Sequence, residues 1–264
     1  MGRRRWLQSA REEVTTATRR VMTCDDTLMS DQLSAHAKWA GLSDGLYLAK
    51  GRCPSTIARH LDDCLGQPEQ VLDAGCGTGA VLASWPRDIE RCGFDHDPGL
   101  VQYAAQRTEP KLRFEIGTFN QPPAGSFQSV LALFAALQYV LDDEARQRAV
   151  LALQSRVAHG GALAIELGPD PDTMHPPAAT WTRWRAADGQ WWLRRAMAST
   201  EDQTLVIDFE FHRGGPASPV VHRDTHRIQP VTRRWWIALF PEPSWAVRFD
   251  HIPGGGPLLI ATRT

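Results

Sequence analysis

The sequence predicts an α/β protein: a doubly wound, mostly parallel sheet with a C-terminal antiparallel hairpin and an inserted antiparallel β-sheet. Three observations predict it. From Gln70 to Leu167 short apolar runs alternate with helix-patterned segments, the pattern of a parallel sheet covered on both faces. The first run, Val71-Leu72, leads straight into a turn containing Gly75, Gly77 and Gly79. After Leu167 the spacing changes to alternation of period two in Trp-, Arg- and His-rich runs, which suits antiparallel strands.

Taken in order, residues 1–44 read as an N-terminal segment in which Gln8 to Val21 is either a loosely amphipathic helix or a disordered arm. Residues 45–168 read as the core. Its helix from Ser55 to Leu65 is marked by Ile57, Leu61 and Leu65 at helical spacing. Strands are expected at Val71-Leu72, Arg91 to Phe94, Leu112 to Ile116, Ser129 to Ala135 and Ala162 to Leu167. Helices are expected at Ala80 to Trp85, Pro98 to Arg107 and Asp142 to Val157, the last capped by Asp142 and closed by Gly160-Gly161. Residues 169–230 read as an inserted antiparallel region, a lid, dimer or acceptor element. Its strands are Trp191 to Met197, Leu205 to Phe211 and Val220 to Ile228, with turns at Ala187-Asp188-Gly189 and Arg213-Gly214-Gly215-Pro216. Residues 231–264 supply a helix from Thr232 to Leu239 and the hairpin strands Trp245 to His251 and Leu258 to Thr262.

Composition narrows the function classes. Hydrophobic residues make up 42% and charged residues 22%, enough for a real core. A net charge of −1 gives no bulk electrostatic grip on nucleic acid or an anionic membrane. The cysteines (24, 53, 64, 76 and 92) are odd in number and form no CxxC pair, so neither a zinc site nor a disulfide framework is expected. No apolar run is long enough to span a bilayer and no h-region follows Met1 to Arg5, so a cytoplasmic location is expected.

The segment Val71 to Gly79 carries most of the chemistry. Glycines there permit a sharp turn and a close backbone approach to a ligand. Asp95 stands twenty positions beyond Gly75, where a carboxylate can accept hydrogen bonds from ribose hydroxyls. Gly75, Gly77 and Ala80 also satisfy the G-x-G-x-x-A fingerprint of nicotinamide enzymes. Asp73 argues the other way. A carboxylate there would face a pyrophosphate badly, and it suits a ligand bearing an ammonium and a sulfonium. The ending is also a hairpin, not a second nucleotide-binding half.

Asp73-Ala74-Gly75-Cys76-Gly77-Thr78-Gly79 resembles motif I of the class I S-adenosylmethionine-dependent methyltransferases. Gly93-Phe94-Asp95 resembles their ribose-binding motif, and His159-Gly160-Gly161-Ala162-Leu163 the loop before their fifth strand. Within that Rossmann-like superfamily, Tyr47 to Arg52, Phe134 to Tyr139 and Gly254 to Leu258 are similar to small-molecule N-methyltransferases, most of all those acting on nucleotide-linked amino sugars. The resemblance implies S-adenosylmethionine as cofactor, with S-adenosylhomocysteine as product. It implies a cofactor site of Tyr47, Arg52, Asp73, Gly75, Cys76, Gly77, Gly79, Asp95, His96, Thr118, Phe119 and Phe134, with Arg52 near the cofactor carboxylate. Thr118 stands where relatives carry an Asp near the adenine amine, and Tyr139 where the sugar enzymes carry His.

Methyl transfer is an in-line displacement in which alignment supplies about 7–11 kcal/mol of barrier reduction. An amine acceptor must arrive deprotonated. Tyr139, after the fourth strand, is a candidate to orient it, or else packs on the cofactor tail. His222 and His226, on one face of their strand with Asp224, are candidate bases, or else decorate an exposed face. Glu166 is a candidate for an acceptor ammonium, or else a buried paired carboxylate. Trp181, Trp184, Trp191 and Trp192 wall an acceptor site, or form the insertion's own core or a homodimer surface. Arg185, Arg194 and Arg195 are candidates for an acidic acceptor. No metal cluster is expected. The reading is a metal-free methyltransferase acting on a small-molecule amine, with O-methyl transfer, a nicotinamide oxidoreductase and a non-methylating protein on the same fold as alternatives.

Overall fold

The computed structural model describes residues 39–264 apart from 177, 187 and 216. The Gln8–Val21 reading lies outside them. Helix α1 (Ala40–Ala49) leads to α2 (Pro54–Cys64), then β1 (Gln70–Ala74), a short α3 (Ala80–Ala83), β2 (Glu90–Asp95), α4 (Pro98–Ala104), β3 (Leu112–Ile116) and β4 (Phe127–Ala132). After a single 3-10 turn at Ala136–Tyr139 come α5 (Asp143–Gln154) and β5 (Val157–Glu166). Strands β6 (Ala178–Arg185), β7 (Trp191–Glu201), β8 (Thr204–Arg213) and β9 (Val220–Ile228) follow. The described chain closes with α6 (Arg233–Ala238), β10 (Trp245–His251) and β11 (Pro257–Arg263).

Two sheets result. One has seven strands in the order β10-β11-β5-β4-β1-β2-β3, and the other four in the order β6-β7-β8-β9. Strands β1 to β5 pair in parallel, while β11 runs antiparallel to β5 and to β10. Both faces of the large sheet are dry. Leu72, Leu163, Ile165 and Leu259 point to the side closed by Val150 and Leu153 of α5 and by Trp236 of α6. Their neighbours Val71, Ala164, Leu258 and Ile260 point to the side closed by Ile57 and Leu61 of α2 and by Val81 and Leu82 of α3. Burial on both faces is why these strands read as unbroken apolar runs. Trp236 is wholly buried, and truncating such a side chain costs about 3–5 kcal/mol.

The structure corrects several boundaries. Helix α5 stops at Gln154, and Gly160-Gly161 do not close it but lie inside β5. Gly160 has φ +75°, and a Cβ on Gly161 would meet the Gln128 carbonyl at 2.6 Å. The glycines allow the irregular register between β4 and β5 there. Strand β4 ends at Ala132, short of the expected Ala135, because Phe134 and Ala135 turn left-handed at φ 55° and 57°. The insertion has a strand more than expected: β6 pairs along β7 from Ala178↔Ala198 to Arg185↔Trp191. The boundary drawn after residue 44 falls inside α1, whose Leu46 packs with Trp184 and Trp192 of the inserted sheet.

Candidate active site

The C-terminal ends of β1, β2, β4 and β5 share one edge of the sheet, where open α/β sheets bind ligands. At the end of β1 the chain makes a tight turn. Gly75 and Cys76 donate their N–H groups to the Phe94 carbonyl at 2.8 and 3.0 Å. Gly75, Gly77 and Gly79 hold φ of +72°, +54° and +69°, conformations costly for side-chain-bearing residues. Gly79 is doubly constrained, since a Cβ would strike the Phe114 ring. The Gly77 N–H donates to Asp95 Oδ2 at 2.9 Å, and Asp95 Oδ1 accepts from the Asp97 N–H at 3.1 Å. The exposed His96 ring reaches the same oxygen at 3.2 Å.

Asp73 sits beneath this turn. It is 3% exposed, and its Oδ1 has no hydrogen-bond partner among the described residues. Burial, helped by the Asp95 charge, pushes its carboxyl up to about 7. Cys76 beside it is also raised, first by burial. Beyond β3, Phe119 borders Gly75 and meets Phe94 edge-on at 6.3 Å, while Thr118 is exposed.

Two fasteners hold the cradle. The Thr78 hydroxyl donates to Asp44 Oδ1 at 2.6 Å, Arg107 donates to Asp44 Oδ2 at 2.6 Å, and Arg107 Nε donates to the Thr78 carbonyl at 2.7 Å. This ties α1 onto the glycine turn. Sequence reasoning missed Asp44 and Arg107 because nothing local to either residue signals the other. The second fastener is Glu166. Its carboxylate accepts both terminal nitrogens of Arg52 at 2.6 and 2.7 Å, the Phe134 N–H at 2.8 Å and the Gly256 N–H at 3.0 Å. Glu166 is therefore the buried paired carboxylate of the two readings above. The Arg52 guanidinium lies 4.0 Å over the Phe134 ring, which Tyr47 meets edge-on at 4.9 Å. Arg52 Nε is buried and unpartnered.

The inserted sheet approaches the 3-10 turn that follows β4. The Tyr139 hydroxyl is 2.6 Å from His226 Nδ1, and His226 Nε2 is 3.0 Å from Asp224 Oδ2. Tyr139 is 43% exposed as a residue, but desolvation at its hydroxyl raises that group above its ordinary value, with Tyr47 and Asp224 adding to the effect. Gln138 braces this corner by donating to the Pro169 and Gln229 carbonyls, each at 2.9 Å. His222 does not join the line. Its ring stacks on Trp39 at 4.6 Å. Both histidines and Asp224 are partly buried, so the exposed-face reading is overturned. Trp184 and Trp192 form the small core against α1, and Trp181 and Trp191 are exposed, at 53% and 43%. Arg185 bonds the Gly189 carbonyl, and Arg195 pairs with Glu210.

One cluster escaped the sequence reading. His60, Cys64 and Asp250 bring one ligand atom each within 4.8 Å of one another. The spacing of His60 and Cys64 on α2 was the available signal. Arg248, which reaches the Cys64 carbonyl and lies 3.9 Å from Asp250, places a positive charge beside the cluster.

Comparison with known proteins agrees with this geometry. Residues 71–161 match the methyltransferase domain family. The region is 33% identical over 95 residues to the magnesium-protoporphyrin O-methyltransferase of Rhodobacter capsulatus, covering 34% of this chain and 42% of that protein. It is 29% identical over 136 residues to the ajmaline N-methyltransferase of Rauvolfia serpentina, covering 46% and 45% respectively. The chain spans between 39% and 45% of the length of the curated relatives it matches. Among solved structures, DesVI of Streptomyces venezuelae superposes with a TM-score of 0.77 at 21% identity, over 85% of this chain and 98% of that one. CalS10 of Micromonospora echinaspora, an amino pentose methyltransferase with S-adenosylmethionine bound, gives 0.72 at 21% identity, over 84% and 97%.

The match over residues 71–161 is to a methyltransferase domain, and the fold around it is the Rossmann-like one of the methyltransferase structures above. The G-x-G-x-x-A coincidence with nicotinamide enzymes thereby loses its footing. Among the described residues no helix is long and apolar enough to cross a membrane.

Proposed function

We propose that this chain is an S-adenosylmethionine-dependent N-methyltransferase acting on an amine of a small molecule in natural-product biosynthesis. The observation that carries the proposal is the hydrogen-bonded line Tyr139–His226–Asp224, which stands beyond β4, the strand beside the one that ends in the glycine turn. The neighbours support it, since an amino pentose methyltransferase and a sugar N-methyltransferase superpose over 84% and 81% of this chain.

The cradle fits the cofactor. Asp73 offers a buried oxygen lacking a partner, suited to an ammonium, and Gly75 and Gly79 keep the turn tight where a Cβ would crowd Phe119 and Phe114, with the Cys76 and Gly77 backbone between them. Asp95 would accept from ribose hydroxyls with its remaining lone pairs, His96 would border them, and Thr118 and Phe119 would flank the adenine. Tyr47, Phe134 and the free edge of Arg52 would line the methionine tail. Bound there, S-adenosylmethionine supplies a methyl carbon already made electrophilic by its sulfonium.

The chain's own residues then have two tasks, to aim the acceptor nitrogen and to take its proton. With His226 Nε2–H donated to Asp224, Nδ1 accepts the Tyr139 O–H. The Tyr139 oxygen keeps lone pairs that accept an acceptor N–H and fix the direction of the nitrogen lone pair. As the C–N bond replaced the methyl–sulfur bond, with S-adenosylhomocysteine as the leaving group, the proton lost by nitrogen would pass through Tyr139 to His226, and Asp224 would stabilise the imidazolium. Such acid–base help contributes about 10²–10⁴-fold.

The test is incubation of the protein with S-adenosylmethionine and a panel of small-molecule amines, nucleotide-linked amino sugars included. Mass gain of one or two methyl groups on nitrogen is the expected result. Methylation confined to oxygen would move the assignment to an O-methyltransferase, and calorimetry showing tight NAD binding without S-adenosylhomocysteine binding would overturn it.

A further inference from the structure

The described residues include four buried arginines, and in three of them hydrogen bonds engage the terminal guanidinium nitrogens. Arg52 pairs with Glu166, Arg91 donates to the Ile89, Leu82 and Pro110 carbonyls, and Arg146 bonds the Val140 carbonyl and Asp143. Arg194 on β7 is the exception. It is 8% exposed, yet no described carboxylate or carbonyl accepts a hydrogen bond from it, and its Nε is buried without a partner. A buried, unpaired cation is costly unless something else compensates it.

Its position suggests what compensates it. Register places Arg194 opposite Phe211, on the inner face of the inserted sheet that also carries Phe209, Asp224 and His226. The guanidinium lies 4.7 Å over the Phe209 ring, and that ring meets His226 edge-on at 4.8 Å. Arg194 therefore stands one aromatic ring away from the Tyr139–His226 line. The ring contact offsets part of the desolvation and leaves the planar N–H fork without an anion. Lys50 adds to the same field, its ammonium lowered first by burial and then by Arg194 and Arg52. Glu166 is consumed by Arg52 and so does not neutralise Arg194.

We propose that Arg194 is the residue that receives an anionic group of the acceptor, carboxylate or phosphoryl, while Tyr139 holds the amine. The inference rests on the N-methyltransferase reading and adds the residue that meets the acceptor's anionic part. It makes Arg194 a specificity-determining residue. Uncharged amines of the same size leave the buried cation unpaired and are disfavoured.

Calorimetry on the full chain saturated with S-adenosylhomocysteine tests this, with inorganic pyrophosphate and glutarate as separate probes at low salt. One of them binds the wild-type protein, which tells phosphoryl from carboxylate recognition. Arg194→Met weakens that probe by about tenfold or more, while Arg195→Met, which removes the same charge from the opposite face, changes it by less than about twofold. Both variants keep the wild-type affinity for S-adenosylhomocysteine. Should Arg194→Met fail to fold, Arg194→Lys replaces it. Lysine keeps the charge but loses the fork, so the probe weakens several-fold with cofactor binding intact, and an unchanged affinity overturns the proposal. Failure of both probes to bind, or equal losses in Arg194→Met and Arg195→Met, also overturns it. A wild-type protein that binds a probe but no S-adenosylhomocysteine would instead sink the methyltransferase reading and leave the anion site standing.

Discussion

Replacing Asp73 with asparagine removes a buried charge while keeping the side chain's shape. The native carboxyl titrates near 7 against an ordinary 3.8, because burial and the Asp95 charge oppose ionisation. The folded state thus holds its proton over a window, between about 4 and 7, in which the unfolded chain has already released it. The sign follows from linkage: the contribution is most favourable below 3.8 and is lost as pH rises through 7. Between pH 5 and pH 8 the loss is about 3 kcal/mol. Urea unfolding of the ligand-free protein is therefore expected to show wild-type stability falling by about this amount relative to Asp73→Asn over that interval. The comparison across pH cancels the fixed penalty of burying an amide in place of a carboxyl. Binding runs in the opposite direction. If Asp73 receives the cofactor ammonium, wild-type affinity for S-adenosylhomocysteine climbs about tenfold per pH unit below 7, while the variant is weaker and nearly flat. Parallel stability curves for the two proteins would refute the burial argument. Parallel binding curves would refute the ammonium contact.

Three further outcomes follow from contacts described above. Tyr139→Phe cuts the 2.6 Å bond to His226 and is expected to lower kcat by about tenfold or more with S-adenosylhomocysteine affinity unchanged; full activity would leave only ring packing. Glu166→Gln strips the buried Arg52 of its counter-charge and should cost about 3–5 kcal/mol in urea unfolding, whereas a loss below about 1 kcal/mol would mean that solvent reaches the pair. Gly79→Ala combines a φ of +69° with a collision at Phe114 and should destabilise by about 2 kcal/mol or more, read from the shift in denaturation midpoint; an unaltered midpoint would show that the turn can relax.

The cradle was legible in the sequence because its parts are local. Gly75 to Gly79 follow their strand directly, and Asp95 ends the next strand, so order along the chain nearly fixes their meeting. The Tyr139–His226 contact spans 87 positions. Both residues could be singled out from strand geometry, but only the fold decides that His226 and not His222 faces the tyrosine. Arg52 and Glu166, 114 positions apart, were read separately as ligands because nothing nearby identified either as the other's partner. Strand β6 was missed for a different reason. Nearly all its side chains are exposed and only Trp184 is buried, so it lacks the apolar alternation that marked β8. Gly160-Gly161 misled because glycine pairs end helices and also permit bulges, and the choice lay with the neighbouring strand.

Helix α1 touches both halves of the chamber at once. One flank rests on the indoles of the inserted sheet through Leu46, and the other is bolted to the glycine turn through Asp44. A splint fixed at both ends transmits displacement. A displaced inserted sheet would pull on the glycine turn, and a displaced turn on the sheet. Loss of the Asp44 bolt would let the two halves breathe independently.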